Sequence, residues 1–354
     1  MAELGLFSGR YFGRTGSCTD EIVHFHSPNF APEILTDPAY HRKIVIADTD
    51  VVEDRWPSPE ECQSFMPFLS GIVFLGHIQT QSKSNSNFTL ENYLNANRIC
   101  GFIPDEPDRL KNAIKSDFKY QGSIDRNEIR ASHNCLTIKK HKSTDFDTIS
   151  ASQEFYWDLT AGETTEEHLN LVIWDFGMNY GLLRHLKALG SKLRIVPPST
   201  SPEKIIALHP DGVVVAGGPL LPGDIPEISS NVSRILGIRP LLGVGNGAIL
   251  LAAAIGANIQ TMNMPHYGAA IMVRDIDSTK AFFTYQCHSL AIDKTSLERT
   301  GSKISHLNLS DDTIESFVNP EYSAIGSMFS GSDQTAMPYM EQFDEMVEYS
   351  QHLI

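Results

Sequence analysis

Pro240-Leu-Leu-Gly-Val-Gly-Asn-Gly-Ala-Ile-Leu-Leu-Ala-Ala-Ala-Ile255 reads as a short apolar strand over 240–244, a glycine-bracketed turn at Gly245-Asn-Gly247, and a very apolar helix over 248–255. A strand that passes through a tight glycine-flanked turn into a buried helix has the geometry of a nucleophile elbow, which lifts one side chain above the sheet edge. The apex of that turn is Gly245. Glycine accepts a positive φ without strain, so the turn can persist, but it supplies no nucleophile. Glycine-rich turns of this kind also occur throughout parallel α/β folds, and spacing alone favours that ordinary reading.

Upstream of this stretch, strand and helix patterns alternate. Leu171-Val-Ile-Trp174 is a buried strand, and Leu182, Leu183, Leu186 and Leu189 form one apolar face of a helix that stops at Gly190. A strand over 193–196 follows, then Thr200-Ser-Pro-Glu203, whose threonine and glutamate can form a capping box ahead of a helix over 203–208. Val213-Val-Val215 is the next strand and ends in Ala216-Gly-Gly-Pro219. Residues 169–354 are therefore expected to form an α/β domain with a mostly parallel sheet flanked by helices. Residues 1–131 alternate short apolar runs with turn chemistry, at Glu21-Ile-Val23, 42–47 and 71–75, with helical pattern at 90–96 and 108–114. That half is expected to be a β-rich α/β domain. The polar stretch 132–168 reads as a linker; its basic cluster Lys139-Lys-His-Lys142 is followed by Glu163, Glu166 and Glu167 and is read as solvated.

The chain has 354 residues, about twice the roughly 150 of a common single domain, which agrees with two domains. Hydrophobic residues at 41% and charged residues at 20% exclude a largely disordered or fibrous chain. The longest apolar stretch, 247–257, falls far short of the ~20 residues of a membrane span, and the start of the chain lacks the pattern of a secretory signal. A cytoplasmic location and no membrane partner are expected. A net charge of −15, from 43 acids against 28 bases, repels nucleic acid. Five scattered cysteines, Cys18, Cys62, Cys100, Cys135 and Cys287, show no CxxC spacing, so reduced thiols and no zinc knuckle are expected.

Asp175-Phe-Gly-Met-Asn-Tyr180 with Leu183-Arg184, and Leu208-His-Pro-Asp-Gly-Val-Val-Val215 followed by Gly218-Pro219, resemble the glutamine amidotransferase domain of the carbamoyl phosphate synthetase small chain. Glu33-Ile-Leu-Thr-Asp-Pro-Ala-Tyr40 is similar to that family's distinctive amino-terminal segment, and 101–109 resembles a later stretch of it. The resemblance spans about 5–343 and implies a class I amidotransferase half behind a domain that docks on a large ATP-grasp chain.

Departures from the family pattern fall on its chemistry. The family's cysteine nucleophile matches Gly245, and its His-Pro-Glu base and acid match Met328-Phe-Ser330, so the resemblance implies degenerate catalytic positions at Gly245, Met328 and Ser330. The family's glutamine-contacting Gln matches Ile249 and its Asn-His-Gly-Phe run matches Cys287-His-Ser289-Leu290, so that Ile249, Cys287, Ser289 and Leu290 are altered, whereas Ser27 matches a retained serine. In the oxyanion loop Gly218 and Pro219 are followed by Leu220, where the family has glycine. Cys287 and His288, adjacent on a strand, point to opposite faces and cannot pair as nucleophile and base. His24 and His26 share a strand face and form a candidate metal pair without a third nearby ligand, so no metal site is expected; His266 is read as structural.

The resemblance implies a noncatalytic pseudo-glutaminase that binds and stabilises or regulates a large ATP-grasp synthetase chain using free ammonia, in arginine or pyrimidine biosynthesis. No cofactor of its own is expected. The alternative is a repurposed enzyme or small-ligand-binding protein that uses the altered pocket.

Overall fold

The computed structural model describes residues 5–27, 29–79, 88–114, 120–137, 143–158, 169–330 and 338–351. The chain divides into two compact units: Met1–His141 with Asn263–Ala270, and Lys142–Met262 with Ile271–Ile354.

In the first unit, β1 (Gly9–Tyr11), β2 (Cys18–His26), β3 (Lys43–Asp48), β5 (Gly71–Phe74), β7 (Cys100–Pro104) and β8 (Tyr120–Ile124) pair in the order β1-β7-β5-β3-β2-β8. The four central strands are parallel and the two edges antiparallel. A separate parallel pair joins β4 (Val51–Glu53) to β6 (His77–Gln79). Helices α1 (Leu90–Ala96) and α2 (Pro107–Ala113) lie where the sequence shows helical pattern, α3 (Glu128–Thr137) runs into the stretch read as a linker, and Thr89 caps α1 by accepting from the Asn92 amide. The segment Glu33-Ile-Leu-Thr-Asp-Pro-Ala-Tyr40 is buried throughout. It folds as two 3₁₀ turns, the second capped by the Asp37 carboxylate.

The second unit begins with α4 (Phe146–Ile149) and β9 (Phe155–Trp157), and β9 pairs antiparallel with a later strand through Leu193–Ile195. The stretch read as a linker thus carries regular structure, because Trp157 buries its ring, 4.4 Å from that of Tyr180. The Lys139-Lys-His-Lys142 cluster, Glu163, Glu166 and Glu167 lie outside the described residues. Next come β10 (Leu169–Phe176), α5 (Tyr180–Ala188), β11 (Ser191–Val196), α6 (Pro202–Ala207), β12 (Gly212–Gly217), α7 (Ile225–Ser233), β13 (Leu241–Gly245) and α8 (Asn246–Ile255). After these run β14 (Ile259–Asp275), whose middle residues 263–270 belong to the first unit, β15 (Ala281–Ile292), α9 (Lys294–Arg299), β16 (Lys303–Asn308), β17 (Ile314–Asn319), β18 (Ala324–Ser327), β19 (Phe329–Ser330) and α10 (Pro338–Gln351).

Strands β11-β10-β12-β13-β18 are parallel, with antiparallel neighbours at both edges. Period-two alternation builds the two cores of this unit. Val172, Trp174, Val213, Val215 and Leu241 face α6, α7 and α8, whereas Leu171, Ile173, Val214, Leu242 and Val244 face α5 and α10. Asp175 pins the turn after β10: its buried carboxylate accepts from the amides of Gly177, Met178 and Ala151 at 2.7–2.8 Å. The cap of α6 is Ser201, not Thr200, because Pro202 occupies the first helical position and makes the residue before it the cap.

Candidate functional site

The elbow is built as its sequence predicts. Gly245, the last residue of β13, has φ +59° and ψ −131°, and α8 starts at the next residue. The helix can start so close to the sheet because glycines line the contact: a Cβ on Gly247 would lie 1.9 Å from the Val215 carbonyl oxygen. A Cβ on Gly245 itself would lie 2.8 Å from the Gly217 oxygen.

Register gathers two of the expected site positions, Gly245 and Met328, at the carboxyl ends of adjacent parallel strands, where open α/β sheets place their ligands. Gly217 stands opposite Gly245, and Val244 opposite Ser327, so Met328 follows on β18 as Gly245 follows on β13. Strand β15 crosses antiparallel to β19 with Gln286 opposite Phe329 and brings Cys287–Leu290 to the same region.

The loop after β12 is closed by its own hydrogen bonds. The Gly218 amide donates to the Phe176 oxygen at 3.0 Å, and the buried Asn246 amide group donates to the Gly218 oxygen at 2.6 Å. Leu220 is buried in the core, and the Leu221 amide is shared between Thr144 Oγ1 and Asp224 Oδ2. Thr144 in turn donates to Asp224 from its amide and its hydroxyl. Pro219 has no N–H to offer an oxyanion.

Met328 and Phe329 are each 1% exposed. The Met328 amide donates to the Glu315 oxygen at 2.7 Å. The Phe329 ring stands 6.0 Å from Phe282, 5.7 Å from His306 and 5.4 Å from Tyr339. The side chain of Ser330 lies outside the described residues. Ile249 is fully buried in the α8 core, and Leu290 is 2% exposed. Cys287 and Ser289 are half-buried, on the face of β15 opposite His288.

His288 belongs to a buried polar network that the sequence reading did not contain. Its Nδ1 contacts the Leu290 oxygen at 2.9 Å, its Nε2 contacts Gln286 Oε1 at 3.0 Å, and Glu315 Oε2 lies 3.7 Å away. Asn308 donates to the other Glu315 oxygen at 2.8 Å, and Gln286 donates to Thr284. Alternation along β15 signals that Thr284, Gln286 and His288 share a face; their meeting with Glu315 depends on pairing between distant strands.

His306 is 7% exposed, with Nδ1 on the Ser305 hydroxyl and Nε2 4.0 Å from Asp275. Burial pushes its pKa down, against the opposing pull of Asp275 and Glu315. The unfolded chain therefore binds the proton more readily. The stabilisation of keeping this ring neutral is present above the ordinary value of about 6.5 and is lost as pH falls from there toward the folded value. We expect His306→Asn to flatten the acid-side loss of stability between pH 7 and 5, by no more than about 1.4 kcal/mol per pH unit for one proton. Denaturation midpoints at both pH values measure this, and an unchanged slope refutes it.

In the first unit, Ser27 is buried and its amide reaches the Asp48 oxygen at 3.4 Å; His266 is also buried. Asp48 is the third group that the His24 and His26 reading lacked. His24 Nε2 and His26 Nδ1 lie 3.1 and 3.4 Å from its Oδ2, and Lys111 Nζ lies 2.7 Å from its Oδ1. Burial raises the Asp48 carboxyl, but Lys111 and His24 outweigh it and hold it below the usual range. With the lysine seated on this carboxylate, the arrangement is an ion-pair cluster.

A parallel sheet with a strand–elbow–helix at its carboxyl edge defines the class of the second unit: residues 172–329 match the family model of the class-I glutamine amidotransferases. Residues 1–124 match the CPSase domain of the carbamoyl-phosphate synthase small chain. The carbamoyl phosphate synthase small chain of Syntrophotalea carbinolica is 28% identical, over 98% of this chain and 96% of that protein. That of Pasteurella multocida is 27% identical, over 92% of this chain and 87% of its own. The pyrimidine-specific small chain of Bacillus subtilis is 27% identical, over 97% of this chain and 93% of its own. Both domains are matched and nearly the full length is shared, so the chain is similar throughout to carbamoyl phosphate synthase small chains. Among the described residues no helix is long and apolar enough to cross a membrane.

Proposed function

We propose that this chain is a small-chain-type subunit without glutaminase activity. It binds a large ATP-grasp chain of the carbamoyl phosphate synthetase type, in the cytoplasm, and stabilises or regulates it while that chain draws on free ammonia. The observation that carries this reading is the elbow apex, which keeps its positive-φ geometry with glycine at the nucleophile position. Supporting it, Met328, abreast of that apex, offers a thioether where the family pattern has a base, and the loop amides of Gly218 and Leu221 are engaged within the protein. Loss of the nucleophile in covalent catalysis costs on the order of a millionfold in kcat. The match of residues 1–124 supports a retained docking domain.

The test is co-expression with a large chain from the same source, followed by synthesis assays with ammonium or with glutamine as nitrogen donor. Synthesis from ammonium, and none from glutamine, is expected of the co-purified complex. Equal rates with the two donors would overturn the loss of glutaminase, and failure to co-purify would overturn the partnership.

A further inference from the structure

We propose that Cys18 and Cys100 form an oxidisable thiol pair in the first unit, which a hydroperoxide converts into an intramolecular disulfide between the starts of β2 and β7. The two strands are separated in the sheet by β5 and β3, so sheet pairing alone does not join them. The connection into β2 does. The Phe12 and Arg14 amides donate to the oxygens of Gly101 and Ile99, which keeps this segment beside β7. The chain then turns at Gly16, where a Cβ would lie 3.6 Å from Cys100 Sγ. Two residues later Cys18 arrives over Gly71, the first residue of β5.

Gly71 supplies the space. A Cβ there would lie 2.7 Å from Cys18 Sγ and 3.1 Å from the Cys100 oxygen, so any larger residue would wedge into the position that Cys18 occupies. Gly71 stands opposite Cys100 across β5 and β7, so Cys18 Sγ, lying where a Gly71 side chain would stand, shares the face of the Cys100 side chain, with Cys100 buried and Cys18 half-buried beside the same small apolar cluster and the two thiols within hydrogen-bond reach. That hydrogen bond, and then burial, push the Cys18 thiol up, whereas the Cys100 thiol, accepting the bond and lying near Arg14, is pulled down. Arg14 Nε and Cys100 Sγ both lie against Gly16, 3.2 and 3.6 Å from where its Cβ would stand, so Cys100, the thiol beside the cation, is assigned as the nucleophile and Cys18 as the resolving thiol.

The chemistry balances with one hydrogen peroxide. The Cys100 thiolate attacks a peroxide oxygen and the O–O bond breaks. Cys100 becomes a sulfenic acid, and the departing hydroxide takes a proton to leave as water. Cys18 sulfur then attacks Cys100 sulfur, the S–O bond breaks, and the second hydroxide leaves with the Cys18 proton as a second water. Two electrons pass from two thiols to the peroxide.

The full chain, treated with hydrogen peroxide, alkylated and digested without reductant, tests the proposal. A linked peptide pair carrying Cys18 and Cys100 is expected. Reduction with dithiothreitol should return both to alkylatable thiols, while Cys62, Cys135 and Cys287 stay alkylated throughout. Cys18→Ala should abolish the link and leave Cys100 as sulfenic or sulfinic acid, and Cys100→Ala should leave Cys18 as a thiol. Full alkylation of Cys18 and Cys100 after peroxide would overturn the proposal, as would linkage of either to another cysteine. The wild-type mapping decides the matter even if a variant fails to fold.

Discussion

Gly247→Ala is expected to destabilise the second unit by more than about 3 kcal/mol, the cost of overpacking against atoms that cannot move. The new methyl would lie 1.9 Å from the Val215 oxygen and 2.8 Å from its carbonyl carbon. Val215 sits in the middle of β12, paired with Trp174 on one side and Gly243 on the other, so its backbone is held from both sides. The strain must be relieved by lifting α8, whose residues Ala248 to Ala252 are all fully buried. The gain in helix propensity, about 1 kcal/mol, opposes this and is smaller. Gly301→Ala provides the contrast: with φ +79° and nothing within 4 Å, it carries only the positive-φ cost of about 1 kcal/mol. Denaturant midpoints rank the two, and a Gly247→Ala loss below that of Gly301→Ala would show that the helix does not rest on the strand.

The second large effect is expected at Phe329. Phe329→Ala should cost about 3–5 kcal/mol, the range for truncating a buried aromatic that leaves a cavity. Its ring meets Phe282 and His306 edge-on, with interplanar angles of 86° and 83°, and such pairs add about 0.5–1.5 kcal/mol beyond the buried area. Its backbone oxygen also accepts from the Tyr339 hydroxyl at 3.2 Å, which ties α10 to β19. Burial pushes that phenol's pKa up. The result bears on function, because this aromatic cluster stands where the resemblance implies base and acid. A loss of under about 1 kcal/mol would indicate a loosely filled region and favour the ligand-binding alternative.

Much of the second unit was legible because its signals are local. The apolar run 171–174, the Leu182–Leu183–Leu186 stripe and the glycine stop at Gly190 each specify one element from neighbouring residues. The observed strand and helix follow them within two residues. The α6 cap shifted by one residue because Thr200 and Ser201 are both competent caps and the choice rests with Pro202. In the polar stretch 132–168 composition outweighed pattern, and the three-residue edge strand Phe155–Trp157 was too short to show a period.

The candidate site divides along the same line. Gly245 at the apex of a strand–turn–helix is a local fact, and so is the absence of a side chain there. The positions facing it were not legible as neighbours, since Met328 comes abreast of Gly245 only through the pairing of Leu241–Val244 with Ala324–Ser327. Asp48 between His24 and His26, and Glu315 beside His288, are likewise contributed by other strands.

By itself, then, the sequence determined a parallel α/β amidotransferase-like half, a β-rich half ahead of it and an elbow whose apex is glycine, because hydrophobic period, caps and turn residues act over a few positions. Only the tertiary structure decided how that elbow is filled. It set the Asn246 amide on the Gly218 oxygen, packed Phe329 among Phe282, His306 and Tyr339, and brought Cys18 over Gly71 beside Cys100. Those meetings follow from strand order and register, which join residues far apart along the chain and leave no periodic trace in it.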